Sequence, residues 1–260
     1  MNAEIPCRQN EGNDMSYEET FIEGRNAVTE ALRAGKPIDK LYILDGCQDG
    51  PVSTIKREAR KKDIQIKYVN KERLDQLSTT GHHQGVIARS AAYEYADVEQ
   101  IMNNARKKGE DPFIFLLDNI VDPHNLGAII RTANLCGAHG VIIPKNRAAG
   151  LTATVARTSA GALNYTPVAK VTNIAKTIEE LKKEGLWFVC ADMDGELMYR
   201  HNLRGPIGMV IGAEGEGVSR LVREKCDYIA SIPMKGDIDS LNASVAAGVL
   251  AYEIVRQRMG

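Results

Sequence analysis

Three short stretches of this chain combine glycine with uncommitted polar side chains, and each follows an apolar run. The first is Asn125-Leu-Gly-Ala-Ile-Ile-Arg131. The second is Ile211-Gly-Ala-Glu-Gly-Glu-Gly217, with three glycines and two carboxylates. The third runs from Ile232-Pro-Met through Gly236 to Ser240-Leu-Asn-Ala-Ser244. Glycine allows close backbone approach and left-handed turns. A bare phosphate cradle wants backbone N–H groups and positive charge, so Glu214 and Glu216 argue against one. Those carboxylates suit a ligand with hydroxyls, an amine or a positive centre. The spacing of Gly212, Gly215 and Gly217 is not the dinucleotide fingerprint and, alone, describes a tight turn. Asn125 can cap the helix that follows it. Arg131 stands on an otherwise apolar helix, either facing solvent or binding an anion through its planar donor fork. Asp122 and His124 flank a proline and read as turn residues. His82 and His83 have no metal-ligand spacing to any other donor.

These loops need strands to hold them. Phe113–Asp118 is a continuous apolar run suited to a strand buried on both faces. Further strands are expected at 140–143, 166–170, 186–191, 207–211 and 228–232. Helices are expected at 98–108, 126–136, 152–160, 174–183 and 218–224. The last helix is expected to start at a cap on Asp239 or Ser240 and to run to about Arg258. Leu241, Val245, Val249, Tyr252 and Val255 recur at helical spacing and predict its buried face. Its first turns are small (Ala243, Ser244, Ala246, Ala247, Gly248), which invites close packing. The alternation implies a largely parallel sheet with helices on both faces. In such sheets ligands gather outside the carboxyl ends of the strands, so the three loops can converge on one site.

Upstream, residues 20–92 form a smaller α/β unit. A helix is expected from Phe21 to about Gly35, and another over 52–62. Strands are expected at 40–44, 64–69 and 86–89, with a short helix at 71–77 and a polar loop at 78–85. Residues 93–110 supply a linker and a helix, and 111–260 the second unit. Residues 1–19 are polar and acidic, the expectation for a mobile tail.

The chain has 260 residues and 43% apolar content, enough for a real core. Net charge is −1, which excludes a basic polymer binder acting through charge alone. The charge is uneven: residues 1–20 carry a net −4 and residues 21–92 a net +4. A basic module on a near-neutral body suits phosphate contacts or merely a solvated surface. The five cysteines are scattered, without a C-x-x-C pair, and suggest neither zinc nor a disulfide framework. No apolar run approaches membrane-spanning length and no signal peptide opens the chain. The expectation is a cytoplasmic protein without metal or membrane partner.

Taken together, Asn125-x-Gly-x-x-x-Arg131, Gly212-Ala-Glu-Gly-Glu-Gly217 and Ile232-Pro-Met-x-Gly-x-x-x-Ser240-Leu-Asn242-x-Ser-Val-Ala246 resemble the three motifs of the SpoU (TrmH-like) RNA ribose 2′-O-methyltransferases. Ala243 departs from the valine frequent in that family and is equally small and apolar. Residues 21–92, with Glu23-Gly-Arg-Asn-Ala-Val28 and His83-Gln-Gly85, resemble the substrate-binding domain of the RlmB type, the 23S rRNA guanosine 2′-O-methyltransferases. The resemblance implies a SPOUT-type α/β trefoil-knot methyltransferase domain behind a small N-terminal α/β domain similar to ribosomal RNA-binding proteins. It implies S-adenosylmethionine as methyl donor, RNA as substrate and a homodimer. It assigns Gly212, Gly217, Ile232, Met234 and Leu241 to the donor, and Asn125, Arg131, Glu214, Ser240 and Asn242 to catalysis. Arg25, Asn26, His83 and Gln84 would meet RNA. Arg131 as general base fits poorly with a guanidinium that keeps its proton. Its other role is to bind a neighbouring phosphate and stabilise developing alkoxide charge. A tRNA-directed enzyme and a non-catalytic RNA-binding assembly factor are the alternatives.

Overall fold

The computed structural model describes residues 21–238 and 240–260. The expected tail and the expected cap at Asp239 fall outside those residues. The described residues build two sheets. The first comprises β1 (Phe21–Glu23), β2 (Ile38–Leu44), β3 (Gln65–Val69) and β4 (Val86–Ser90) in the order β1-β4-β2-β3. Helices α1 (Arg25–Arg33), α2 (Gly50–Lys61) and α3 (Lys71–Leu77) connect them. Val28, Leu32, Val52 and Ile55 close over Leu41, Ile43 and Val86 in a single buried cluster. Phe21–Glu23 is a strand paired antiparallel with β4, and not the first turn of a helix. Gly24, at φ +86, breaks the chain between the two elements.

After α4 (Val98–Lys108) comes the second sheet: β5 (Phe113–Asp118), β6 (Gly140–Pro144), β7 (Val168–Val171), β8 (Trp187–Leu197), β9 (Ile207–Gly212) and β10 (Tyr228–Ser231). Its order is β10-β8-β9-β5-β6-β7, and every pairing is parallel. Helices α5 (Pro123–Leu135), α6 (Ala153–Thr158), α7 (Ile174–Lys183), α8 (Arg220–Lys225) and α9 (Ala243–Met259) complete the unit. Alternate residues of β5 serve two cores. Phe113, Phe115 and Leu117 meet α5, α6 and α9, whereas Ile114 and Leu116 meet α4, α7 and α8. All six residues of β5 are buried, as a strand covered on both faces requires.

Two helix starts differ from expectation. Asp122, not Asn125, caps α5 by accepting the His124 N–H at 3.0 Å. Pro123 occupies the first turn, where its missing N–H costs nothing, so the helix opens earlier. Asn242, not Ser240, caps α9, accepting the N–H groups of Ser244 and Val245. The buried face of α9 also differs. Ala243, Ala247, Leu250, Ala251 and Ile254 face the core, while Val245 and Tyr252 are about half exposed. Val249 and Val255 of the expected stripe do pack against that core, while the small residues let α9 settle closely on the sheet and on α5 and turn Val245 and Tyr252 outward. Gly127 serves similar packing: a Cβ there would lie 1.8 Å from the Thr158 hydroxyl of α6.

The two units meet at a polar seam. Buried Asp39 of β2 accepts from Lys170 of β7 at 2.6 Å, from the Tyr95 hydroxyl at 2.8 Å and from Arg89. Gly150 leaves it room, since a Cβ there would lie 2.1 Å from the carboxylate. Burial would raise the Asp39 carboxyl, but Lys170 and Arg89 outweigh it and hold the group down at about 2. A depressed folded pKa stabilises above the unfolded value near 3.8 and ceases to do so as pH falls to about 2. Asp39→Asn should therefore cost about 3 kcal/mol at neutral pH, because Lys170 and Arg89 lose the buried carboxylate that they pair with. Calorimetric melts should show that gap closing between those two pH values.

Candidate active site

The loop after β9 folds back on itself. Ala213 and Gly217 exchange both backbone hydrogen bonds, at 3.1 and 2.8 Å. Gly215 and Gly217 sit at φ +78 and +67, conformations that glycine takes without strain. A Cβ on Gly212 would lie 2.0 Å from the Gly217 carbonyl carbon, so only glycine closes the turn. The Ser219 N–H donates to buried Asp118 at 2.7 Å and fixes the far end of the loop to the end of β5.

This loop walls a cavity of about 330 Å³. Gly212, Gly217, Ile232, Met234 and Leu241 all line it, as do Glu214 and Ser240. Ala230, Ala243 and Ala246 supply an apolar floor. Asp192, Met193 and Asp194 form the opposite rim, and sequence reasoning missed them. Cys190 pairs with Ile229 but Glu196 with Ala230, so residues 191–195 bulge out of β8 over the cavity. Asp192 is anchored by Arg223 at 2.9 Å. The strand expected at 186–191 already put Asp192-Met-Asp-Gly195 just past a carboxyl end, so the rule that selected the other loops pointed to these residues as well.

The polar positions of the three loops meet beside the cavity. Asn242 Oδ1 accepts the Ser244 hydroxyl at 2.6 Å and the Ser244 N–H at 2.9 Å, which turns its NH2 toward Glu214 and Asn125. That NH2 donates to Glu214 Oε1 and, at 3.0 Å, to Asn125 Oδ1. Asn125 donates in turn to Glu214 Oε1 at 2.7 Å. One carboxylate oxygen thus collects two amide donors, with the Ala243 N–H behind them at 3.4 Å. Such a network fixes each amide orientation and aims the remaining acceptor capacity of Glu214 outward. Arg131 is not part of it. It sits on the exposed face of α5, outside the cavity lining, with no polar partner among the described residues.

The candidate RNA residues are built into the first unit. Glu23 accepts from Thr79 and Thr80 at 2.7 Å and from Ser78. Burial would raise its carboxyl, but these donors hold it down at about 2 and rigidify the 78–80 turn. His83 is buried; Nδ1 accepts the Gly85 N–H at 3.0 Å and Nε2 faces Asp75 at 2.9 Å. Both ring nitrogens are engaged, so His83 shapes the loop without offering a free polar edge. Gln84 holds Arg25 through its side chain and its carbonyl, each at 3.1 Å, and Arg25 also pairs with Asp49 at 2.6 Å. Asn26 is exposed beside them.

Residues 112–252 match the model of the SpoU rRNA Methylase family. Residues 21–96 match the model described as RNA 2′-O ribose methyltransferase substrate binding. A Bacillus subtilis (strain 168) protein named as a TrmH family tRNA/rRNA methyltransferase, YacO, is 48% identical over 94% of this chain and 98% of its own length. Among solved structures, the SpoU methyltransferase AviRb from Streptomyces viridochromogenes, in complex with the cofactor AdoMet, aligns at 27% identity with a TM-score of 0.58, covering 93% of this chain and 91% of that one. The A. aeolicus TrmH/SpoU tRNA modifying enzyme aligns at 28% identity and a TM-score of 0.54, over 58% of this chain and 77% of that one. Among the described residues no cluster of His, Cys, Asp and Glu could hold a metal ion, and no helix is long and apolar enough to cross a membrane.

Proposed function

The chain belongs to the SpoU rRNA methylase family, with that family's SPOUT-type α/β fold and an RNA 2′-O ribose methyltransferase substrate-binding unit ahead of it; from that premise we propose that it methylates the 2′-hydroxyl of a guanosine in 23S rRNA. The observation that carries the reading is the convergence of Asn125, Glu214 and Asn242 on one hydrogen-bonded knot beside the glycine-walled cavity. The cavity chemistry fits S-adenosylmethionine. An alanine and aliphatic floor suits an adenine, and Asp192, Asp194, Glu214 and Glu216 suit a ligand bearing ammonium and sulfonium charge. When bound, that cofactor supplies an electrophilic methyl group.

The protein's own contribution is alignment. Gly212 and Gly217 hold the donor through backbone groups, while Ile232, Met234 and Leu241 enclose its apolar part. Asn125, Asn242 and Ser240 orient the nucleotide sugar, and Glu214 accepts from its polar groups. Arg131 binds the phosphate next to the reacting ribose and stabilises the developing alkoxide; the proton leaves through that phosphate or water. Arg131 reaches this position from a second copy of the chain. Val245, Tyr252 and Met259 form an exposed apolar stripe on α9, spaced by sevens, and exposed Leu135 lies on neighbouring α5. An exposed apolar stripe of this kind suits a partner surface. The first unit presents Asn26 and the 78–85 turn to unpaired bases, with Arg25, His83 and Gln84 holding that surface in shape. A cytoplasmic homodimer acting on ribosomal RNA follows.

Labelled donor incubated with separate deproteinised rRNA and tRNA pools tests the reading. A single methylated guanosine ribose in 23S rRNA is expected. Label confined to tRNA would replace the substrate, and no label with either would remove the activity. Gly212→Ala should abolish donor binding in a calorimetric titration, because the added Cβ meets backbone rather than a movable side chain.

A further inference from the structure

The turn after β6 carries a group that the site above does not use. Arg147 has φ +56, a left-handed conformation that costs an ordinary side chain and that glycine takes freely. Among the described residues, the other non-glycine residues in that region have visible reasons. Asp63 and Asn119 are of types that tolerate it. Gln84 thereby holds Arg25, and Ala160 leads into the tight turn at Gly161. Arg147 gains no such internal contact: it is exposed and has no polar partner among the described residues. Its turn is nevertheless tightly held. The Lys145 N–H donates to the Val171 carbonyl at 2.9 Å and the Ala149 N–H to the Ile120 carbonyl at 2.8 Å. Across the seam, Gln65 donates to Asn146 at 2.6 Å and Lys145 pairs with Asp63. Lys145 and Lys170 are consumed by these contacts, whereas Arg147 is left projecting.

Its place in the fold gives that projection a use. In a parallel sheet the loops after β6, β5 and β9 lie side by side on one edge. The Arg147 turn is therefore two strand spacings, on the order of 10 Å, from the loop at Gly212. On its other side it touches the RNA substrate-binding unit directly. The turn therefore lies between that unit and the loop that walls the cavity. We propose that Arg147 grips a phosphate of the RNA strand between the N-terminal unit and the transfer cavity. The proposal rests on the RNA-methyltransferase reading. A left-handed backbone held rigid around a long donor fork, where glycine would be easier, is the kind of strain that ligand clamps retain.

The test uses the full chain and three variants: Arg147→Gly, Arg147→Lys and Arg147→Ala. Fluorescently labelled rRNA fragments are titrated at several salt concentrations, alongside calorimetric titration with S-adenosylmethionine and thermal melts. Arg147→Gly relieves the backbone strain, so it should melt no lower than the parent and bind the donor unchanged. It should bind RNA about tenfold more weakly near 0.1 M salt, with the salt slope reduced by about one. Arg147→Lys should recover part of the affinity and all of the slope. RNA binding by Arg147→Gly within twofold of the parent, at unchanged slope, overturns the proposal. So does a fall in melting temperature and donor binding that accompanies the RNA loss in all three variants. A parent that binds RNA with the expected slope yet methylates no RNA pool would remove the enzyme reading and leave the phosphate contact standing.

Discussion

Asn242→Asp is expected to keep the fold close to its normal melting temperature and to lower methyl transfer by about a hundredfold. The two effects separate because Asn242 has two faces. Its oxygen caps α9 by accepting from Ser244 and Val245. An aspartate oxygen accepts equally well there, and negative charge is favoured at a helix N-terminus. Its NH2 is what faces Glu214 and Asn125. In the aspartate variant a second carboxylate oxygen replaces those two donors and confronts Glu214 Oε1. The carboxylates repel, Glu214 turns away, and the sugar-orienting geometry is lost. Asn242→Ala makes the contrast: it should lose a similar factor in turnover and, with the cap gone, about 1 kcal/mol of stability as well. The aspartate variant also has a pH signature. Two facing carboxylates raise the pKa of one of them, and below that value a shared proton restores one donor. Turnover relative to the parent should thus recover as pH is lowered from 8 toward 5. Near-parental turnover of Asn242→Asp at pH 8 would show that the amide network positions nothing.

How much of this was legible from the residues depends on the range of the interaction. Local periodicity and length gave β5, α4 and α7 with the bounds found, because a covered strand is apolar throughout and an amphipathic helix repeats its face. The meeting of the three loops was legible because a parallel sheet collects carboxyl ends on one edge. The caps were less legible. Asp122 and Asn242 each compete with a nearby polar residue, and backbone geometry rather than residue type decides between them. The face of α9 could not be chosen from spacing alone, since apolar residues fall on more than one side: Ala243, Ala247, Leu250, Ala251 and Ile254 face the core, Val249 and Val255 pack at its margin, and Val245 and Tyr252 turn outward. Size suggested the valine and tyrosine stripe for the core; tight packing against α5 required the alanine-rich side. Least legible was Asp39. Its partners, Arg89, Tyr95 and Lys170, lie up to 131 residues away in sequence, and no local pattern marks a carboxylate destined for burial.

That outward stripe on α9 leads to the prediction with the widest consequences. Arg131→Ala and Glu214→Ala, each inactive alone, should regain activity when mixed, if the protein works as the proposed dimer and its subunits exchange. Within one chain Arg131 lies outside the lining of the cavity that holds Glu214. If the guanidinium serves the neighbouring subunit, a mixed dimer contains one site with both groups intact. Random exchange of equal amounts then places about a quarter of all sites in that state. If Arg131 serves its own chain, every mixed dimer carries one defect in each site and no activity returns. If the exchange runs through the apolar stripe of α9, Tyr252→Glu supplies the control. Tyr252 is half exposed on α9, and a charge there cannot be buried against a second copy without a partner. That variant should sediment as a monomer, melt as a folded protein and still bind S-adenosylmethionine, because Tyr252 lies outside the cavity lining. It should also lose methyl transfer by the same factor as Arg131→Ala, since both remove one guanidinium from the reacting site. A monomeric Tyr252→Glu protein with full turnover, or mixtures that stay silent after exchange, would return Arg131 to its own chain.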